Sequence, residues 1–152
     1  MKFLKFKNQY VSDCYLNAEK IISIYVNKNY HSPDNFDGVE YMIRHEALEI
    51  DTEDGQQYLV YDPIYLINAG TEDDDFFWNY NDKKINFAGH MFLERACQLI
   101  IQNIISELNT IEDNEEINIE DLVERFEENQ ADELRKYYID KFKKYNNKEV
   151  KQ

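Results

Sequence analysis

The chain is 152 residues long, 43% hydrophobic and 14% aromatic, with 31 acidic and 17 basic residues and a net charge of −14. Its aromatic and Ile content excludes a disordered acidic polymer and is sufficient for one domain, residues 1–152, with a proper core. A field of this sign repels nucleic acid and anionic membranes, so the expectation is no direct nucleic-acid binding, no membrane contact and an attraction to basic partners.

In chain order, residues 1–67 read mainly as strands. Phe3–Phe6 and Tyr10–Val11 are short β segments, and Asn17-Ala18-Glu19 is a turn. Lys20–Val26 is a nearly continuous run of Ile, Tyr and Val, the pattern of a central strand or of one covered on a single face. Val39–Asp51 and Gln56–Tyr61 form a hairpin. With Asp54-Gly55 as a two-residue turn, Ile50 opposes Leu59 and Leu48 opposes Tyr61, both pairs on one face. Val39, Tyr41 and Ile43 have the opposite parity, which calls for a bulge near His45–Ala47.

Pro63 ends the sheet pattern. Residues 68–86 form an acidic and aromatic loop, in which Glu72, Asp73, Asp74 and Asp75 abut Phe76, Phe77, Trp78 and Tyr80. A core helix spans 87–109. Phe92, Ala96, Ile100, Ile104 and Leu108 recur at four-residue spacing, with Leu93, Cys97, Ile101 and Ile105 beside them, so a wide stripe faces the sheet. Residues 118–146 form a helical region that runs from acidic to basic and starts at Asn118 in a loose capping box with Asp121. Its polar middle, Glu127–Glu133, allows two helices joined near Gln130, with Asp132 as a cap, or one helix partly clear of the body. The fold class is α+β: an N-terminal antiparallel sheet of about four or five strands, then two or three C-terminal helices packed on one face.

No motif carries a reaction. His90 and Glu94 share a helix face but are only half a metal site. Asp51–Asp62 imitates a calcium loop but has its glycine one position early. The four Ser and three Thr lie in no nucleophile elbow or P-loop. Cys97 falls inside the apolar stripe as an inert thiol, and Cys14 and Cys97 are too few for a disulfide framework. Arg44, His45 and Glu46 alternate along an ordinary exposed strand. The expectation is no catalytic residue, no metal, no cofactor and no enzyme activity. The N-terminus has lysines where a signal peptide has its apolar core, so the cytoplasm is the expected compartment.

What remains is charge. Eleven acidic residues and one base, Arg125, lie between Glu112 and Glu133, and the last nineteen residues are basic. Helix-dipole complementarity accounts for Glu120 and Asp121 but fades beyond the first turn. The rest is either solvated surface or an anionic recognition surface formed by Glu120, Asp121, Glu124, Glu127, Glu128, Asp132 and Glu133. A second contact at Asp73, Asp74, Asp75 and Trp78 competes with a simpler role for Phe76, Phe77 and Trp78 as a core plug. The expected function is a small acidic protein that inhibits a basic partner, such as a nuclease or other nucleic-acid-binding protein, by mimicking nucleic acid. Phage and mobile-element inhibitors of restriction or CRISPR nucleases match in composition and size alone. The alternatives are an immunity protein or antitoxin for a basic nuclease toxin, and a carboxylate-based enzyme or assembly subunit. The sequence leaves the oligomeric state open.

Overall fold

The computed structural model describes the backbone of residues 1–8, 12–68 and 72–151, and their side chains except those of 72–74 and 145–151. The fold is α+β, with strands first and helices after. Among the described residues, the strands fall into two three-stranded sheets and a short hairpin.

The first sheet joins β1 (Phe3–Lys7) to antiparallel β2 (Asp13–Asn17) on one side and parallel β8 (Glu116–Asn118) on the other. Leu4, Phe6 and Ile117 point inward and are buried, the alternation a half-covered strand requires. The expected strand Tyr10–Val11 lies outside the described residues. The expected turn at Asn17 is a short 3-10 helix, Ala18–Lys20, capped by the Asn17 side chain, which accepts from the Glu19 N–H at 2.9 Å.

The second sheet has the order β3 (Ile21–Phe36), β4 (Val39–Thr52), β5 (Gln57–Tyr61). β3 runs well past Val26, because Asp37 and Gly38 take left-handed φ of 53° and 82° and close a two-residue turn between Phe36 and Val39. Pro33 is tolerated because β3 is an edge strand. The irregularity expected near His45–Ala47 occurs at that level but in β3, where Asn27 pairs with Ala47 and Tyr30 with His45. The β4–β5 register differs from the one expected. Gly55, at φ 81°, ends a three-residue loop: its N–H donates to Thr52 O at 3.1 Å, and the Thr52 N–H donates to Gln56 O at 3.0 Å. Ile50 therefore opposes Tyr58 rather than Leu59, and a shift between Leu48 and Glu49 preserves the Leu48–Tyr61 pair.

After a 3-10 turn at Pro63–Ile67, the aromatic run forms a second 3-10 turn, Glu72–Phe77, and a two-stranded hairpin, β6 (Trp78–Asn79) with β7 (Lys84–Ile85). Helix α1 (Phe87–Leu108) starts at Asn86, whose side chain accepts from the Gly89 N–H at 2.9 Å. Gly89 has no room for a Cβ, which would stand 2.7 Å from the Phe77 carbonyl. That contact presses α1 onto the hairpin. Phe92, Leu93, Ala96, Cys97, Ile100 and Ile104 are buried, while Ile105 is exposed. α1 lies against β4 and β3.

The C-terminal region is two helices, α2 (Ile119–Asn129) and α3 (Ala131–Lys151). Asn118 caps α2 through the Glu120 N–H. Gln130 leaves helical geometry at φ −130° and serves both helices: its N–H donates to Phe126 O and its carbonyl accepts from the Leu134 N–H. Asp132 therefore sits inside the first turn of α3 rather than capping it. Both helices pack on α1. Ile119, Leu122, Phe126, Ala131 and Tyr138 are buried. The Arg135 guanidinium, over the Phe92 ring, donates to Leu66 O at 2.6 Å and fastens α3 to the body. Among the described residues no helix is long and apolar enough to cross a membrane.

Candidate acidic recognition surface

Helix α2 is anchored through one stripe, Ile119, Leu122 and Phe126. At about 100° per residue, Glu120, Asp121, Glu124, Glu127 and Glu128 fall within an arc of about 120° on the opposite side. These five carboxylates occupy one 11-residue helix. That length is about 16 Å of axis, so they follow at about one per 3.3 Å. A single DNA strand carries one phosphate per about 3.4 Å. Arg125, the one base in α2, is turned away from the array: it donates to Glu107 Oε1 at 2.7 Å on α1.

Of the seven acidic residues expected to form a surface, Glu120, Asp121, Glu124, Glu128, Asp132 and Glu133 are exposed. Lys7 stands 3.9 Å from Glu120, and Arg135 binds Asp132 at 2.7 Å. Among the described residues, the side chains of Asp121, Glu124, Glu128 and Glu133 have no ion pair or hydrogen bond. Glu127 differs. It is half-buried, its Oε1 is shut off from solvent with no hydrogen-bond partner, and burial pushes its carboxyl above the ordinary glutamate range.

Glu127 belongs to a groove of about 260 Å³ between α2, the end of β1 and β5. Phe6, Val60, Tyr61, Ile119 and Val123 make the apolar part; Lys7, Glu120, Glu124 and Glu127 supply charge. Tyr61 feels the same environment: burial, then the nearby Glu127 charge, pushes its phenol far up. The groove is not readable from the sequence, because its walls come from segments more than fifty residues apart.

An acid raised by burial keeps its proton to higher pH in the folded chain than in the unfolded one. Its contribution to stability is therefore most favourable below the unfolded value and falls as pH rises through the folded value. Glu127→Gln removes that term. The variant should match wild type near about pH 4 and be the more stable protein near about pH 7. Urea melts at both pH values check this, and equal stability at pH 7 would show that the carboxylate is not penalised.

The second expected contact is divided. Asp75 is exposed and accepts from the Tyr80 hydroxyl at 2.7 Å, while the side chains of Asp73 and Asp74 lie outside the described residues. Trp78 is 7% exposed, meets Phe36 edge to face and donates its indole N–H to Ile67 O at 3.0 Å. It is a core residue in this structure, not a surface anchor.

The expectation of an exposed strand at 44–46 is corrected. Arg44 is exposed, but Glu46 is buried against His90 of α1, and His45 is buried against Tyr30, Ser32 and Asp62. The Glu46 carbonyl can only accept, so the His45 Nδ1 donates to it at 2.9 Å, and the Ser32 hydroxyl lies 2.8 Å from Nε2. Asp62 stands 3.7 Å from the same ring; burial raises its carboxyl and His45 acts against that. Glu46 meets His90 Nδ1 at 2.9 and 3.1 Å. The Arg44 guanidinium can only donate, so the His90 Nε2 at 3.4 Å is the acceptor and the Nδ1 proton faces Glu46. Glu94, the expected companion of His90, pairs with Lys28 at 3.3 Å instead. Cys97 is buried among apolar neighbours, and burial holds its thiol far above the usual range. Among the described residues no three His, Cys, Asp or Glu side chains are placed to hold a metal ion.

Fold and surface together define an α+β protein that displays an acidic helix on an apolar body. No protein-family model, curated protein or solved structure matches the chain.

Proposed function

We propose that this protein is a small cytoplasmic inhibitor that holds a basic, nucleic-acid-binding protein through α2 and the first turn of α3, in place of the phosphates that partner normally contacts. The observation that carries the reading is the carboxylate array of α2: five acids within one third of the helix circumference, at nearly the linear charge density of a nucleic-acid strand. The helix is fixed to the core by its opposite stripe, so the array is rigid before binding and loses little entropy on docking. Free carboxylates at Asp121, Glu124 and Glu128 are available to Lys and Arg of a partner.

Glu120, Glu124, Glu127 and Glu128 replaced together by Gln leave good helix formers in place, so the fold should survive. Wild type immobilised against its native cytoplasm should retain one basic nucleic-acid-binding protein in stoichiometric amount. The quadruple variant should hold that protein at least about tenfold more weakly, about 1.4 kcal/mol. Wild-type affinity should fall with salt, and wild type should displace DNA or RNA from the partner. Equal affinity for both forms, flat across salt, would reduce the array to solvated surface.

A further inference from the structure

We infer that Ser32 and His45 form a nucleophile–base pair that accepts an acyl group from a neutral or cationic ester, a catalytic site on β3 and β4 that shares no residue with α2 or its groove.

The geometry is that of an activated hydroxyl. Ser32 Oγ lies 2.8 Å from His45 Nε2, inside the span of about 2.6–3.2 Å that a nucleophile and its base require. The base is itself oriented. The Glu46 carbonyl accepts from Nδ1 at 2.9 Å, so in the neutral ring the lone pair sits on Nε2 and faces the hydroxyl. Tyr30 meets the imidazole edge to face, with centroids 5.3 Å apart. Asp62 stands 3.7 Å from Nδ1 and is held in place by the Ile64 N–H at 3.1 Å. At that distance it supplies negative charge beside a ring that becomes cationic when it takes the proton. The other two histidines are engaged elsewhere: His31 bonds the Asn29 carbonyl and His90 bonds Glu46.

Burial divides the pair in the way catalysis needs. His45 is 0% exposed, so its ring is shielded from water. Ser32 keeps access to solvent: it is half-buried on an edge strand, between exposed His31 and Pro33. An apolar side chain would fill the His45 position without the cost of desolvating an imidazole. Local departures of this kind concentrate at functional sites.

The step balances with the groups present. Ser32 Oγ bonds to the ester carbonyl carbon and its proton passes to His45 Nε2. The bond from that carbon to the leaving oxygen then breaks, and the leaving oxygen takes the proton from Nε2. Water repeats the sequence on the acyl-serine, which releases the acid and restores Ser32. The net charge of −14 disfavours anionic esters.

The test uses the full chain with two probes, an uncharged alkyl fluorophosphonate and p-nitrophenyl acetate. Wild type should gain a single phosphonyl adduct, mapped to Ser32 by peptide mass spectrometry, and release a stoichiometric burst of nitrophenolate. Ser32→Ala should fold as judged by circular dichroism and lose both signals, and wild type unfolded in urea should lose them too. His45→Gln should slow labelling at Ser32 by at least about a hundredfold. Because His45 is buried, Ser32→Cys supplies a second reading that leaves the ring in place. Its introduced thiol should react with iodoacetamide at least about tenfold faster than Cys14 in the same chain. No adduct on wild type, an adduct at another residue or labelling that survives unfolding would overturn the assignment. So would equal labelling rates in wild type and a folded His45→Gln variant, or an introduced thiol no faster than Cys14. None of these outcomes bears on the acidic face of α2, whose test is partner binding.

Discussion

Trp78→Ala should cost about 3–5 kcal/mol of folding stability. A domain of ordinary size has only about 5–15 kcal/mol in total, so the variant should melt at far lower denaturant concentration than wild type. The cause is geometric. The indole joins three separate pieces of chain: it meets Phe36 at 5.6 Å, stacks on Tyr80 within its own hairpin and donates to Ile67 O in the Pro63–Ile67 turn. Alanine leaves a cavity among these pieces and strips the Ile67 carbonyl of its donor. Trp78→Phe separates the two effects. It keeps most of the packing and loses the hydrogen bond, and should cost about 1–2 kcal/mol. Circular dichroism under urea measures both, independently of the lost fluorophore. An alanine variant with wild-type stability would return Trp78 to the list of candidate partner contacts.

Elements governed by local chemistry were legible in the sequence. α1 has the expected start and ends at Leu108, one residue before the expected 109, because a 22-residue apolar stripe opened by a capping Asn and closed before a polar loop has few other solutions. Two apolar stripes separated by a polar segment fit one helix or two; the structure has two, and they meet at Gln130, where the two-helix alternative put the junction. The β4–β5 hairpin is legible in existence but not in register, because Asp54-Gly55 fits both a two-residue turn and the end of a three-residue loop. A two-residue turn would put Asp54 as well as Gly55 in the left-handed conformation, whereas here Gly55 alone adopts it.

The far half of β3 was hidden for a different reason. Asn27–Phe36 is polar and contains Pro33, which argues against a central strand. The stronger signal was Asp37-Gly38, a two-residue hairpin sequence whose flanks, Phe36 and Val39, pair directly. The division of the strands into two sheets was not legible at all. It depends on β8, a three-residue strand that pairs parallel with β1 from more than a hundred residues away. For the same reason the acidic face of α2 could be named residue by residue, whereas the groove beside it could not. One wall is the helix, and the others are β1 and β5.

His90→Leu should be as damaging as the loss of Trp78, about 3–5 kcal/mol, because it strands a buried charge. The Glu46 side chain is 4% exposed, and the His90 ring supplies its side-chain hydrogen bonds, at 2.9 and 3.1 Å. The two partners are not equivalent. Glu46→Leu leaves only a neutral ring N–H without its acceptor, on a side chain that is 18% exposed, and should cost about 1–2 kcal/mol. With both replaced by Leu, nothing polar is left unpaired, and the double variant should lie within about 2 kcal/mol of wild type. The cycle should thus show a coupling of at least about 2 kcal/mol, read from urea midpoints of the four proteins. Additive losses would mean that water or another side chain takes over the carboxylate. The same double variant also separates the two halves of this molecule. Glu46 and His90 join β4 to α1 and line neither α2 nor its groove, so a folded double variant should bind a basic partner like wild type. If it folds but no longer binds, recognition depends on the α1–β4 contact, and the acidic face of α2 is not sufficient for it.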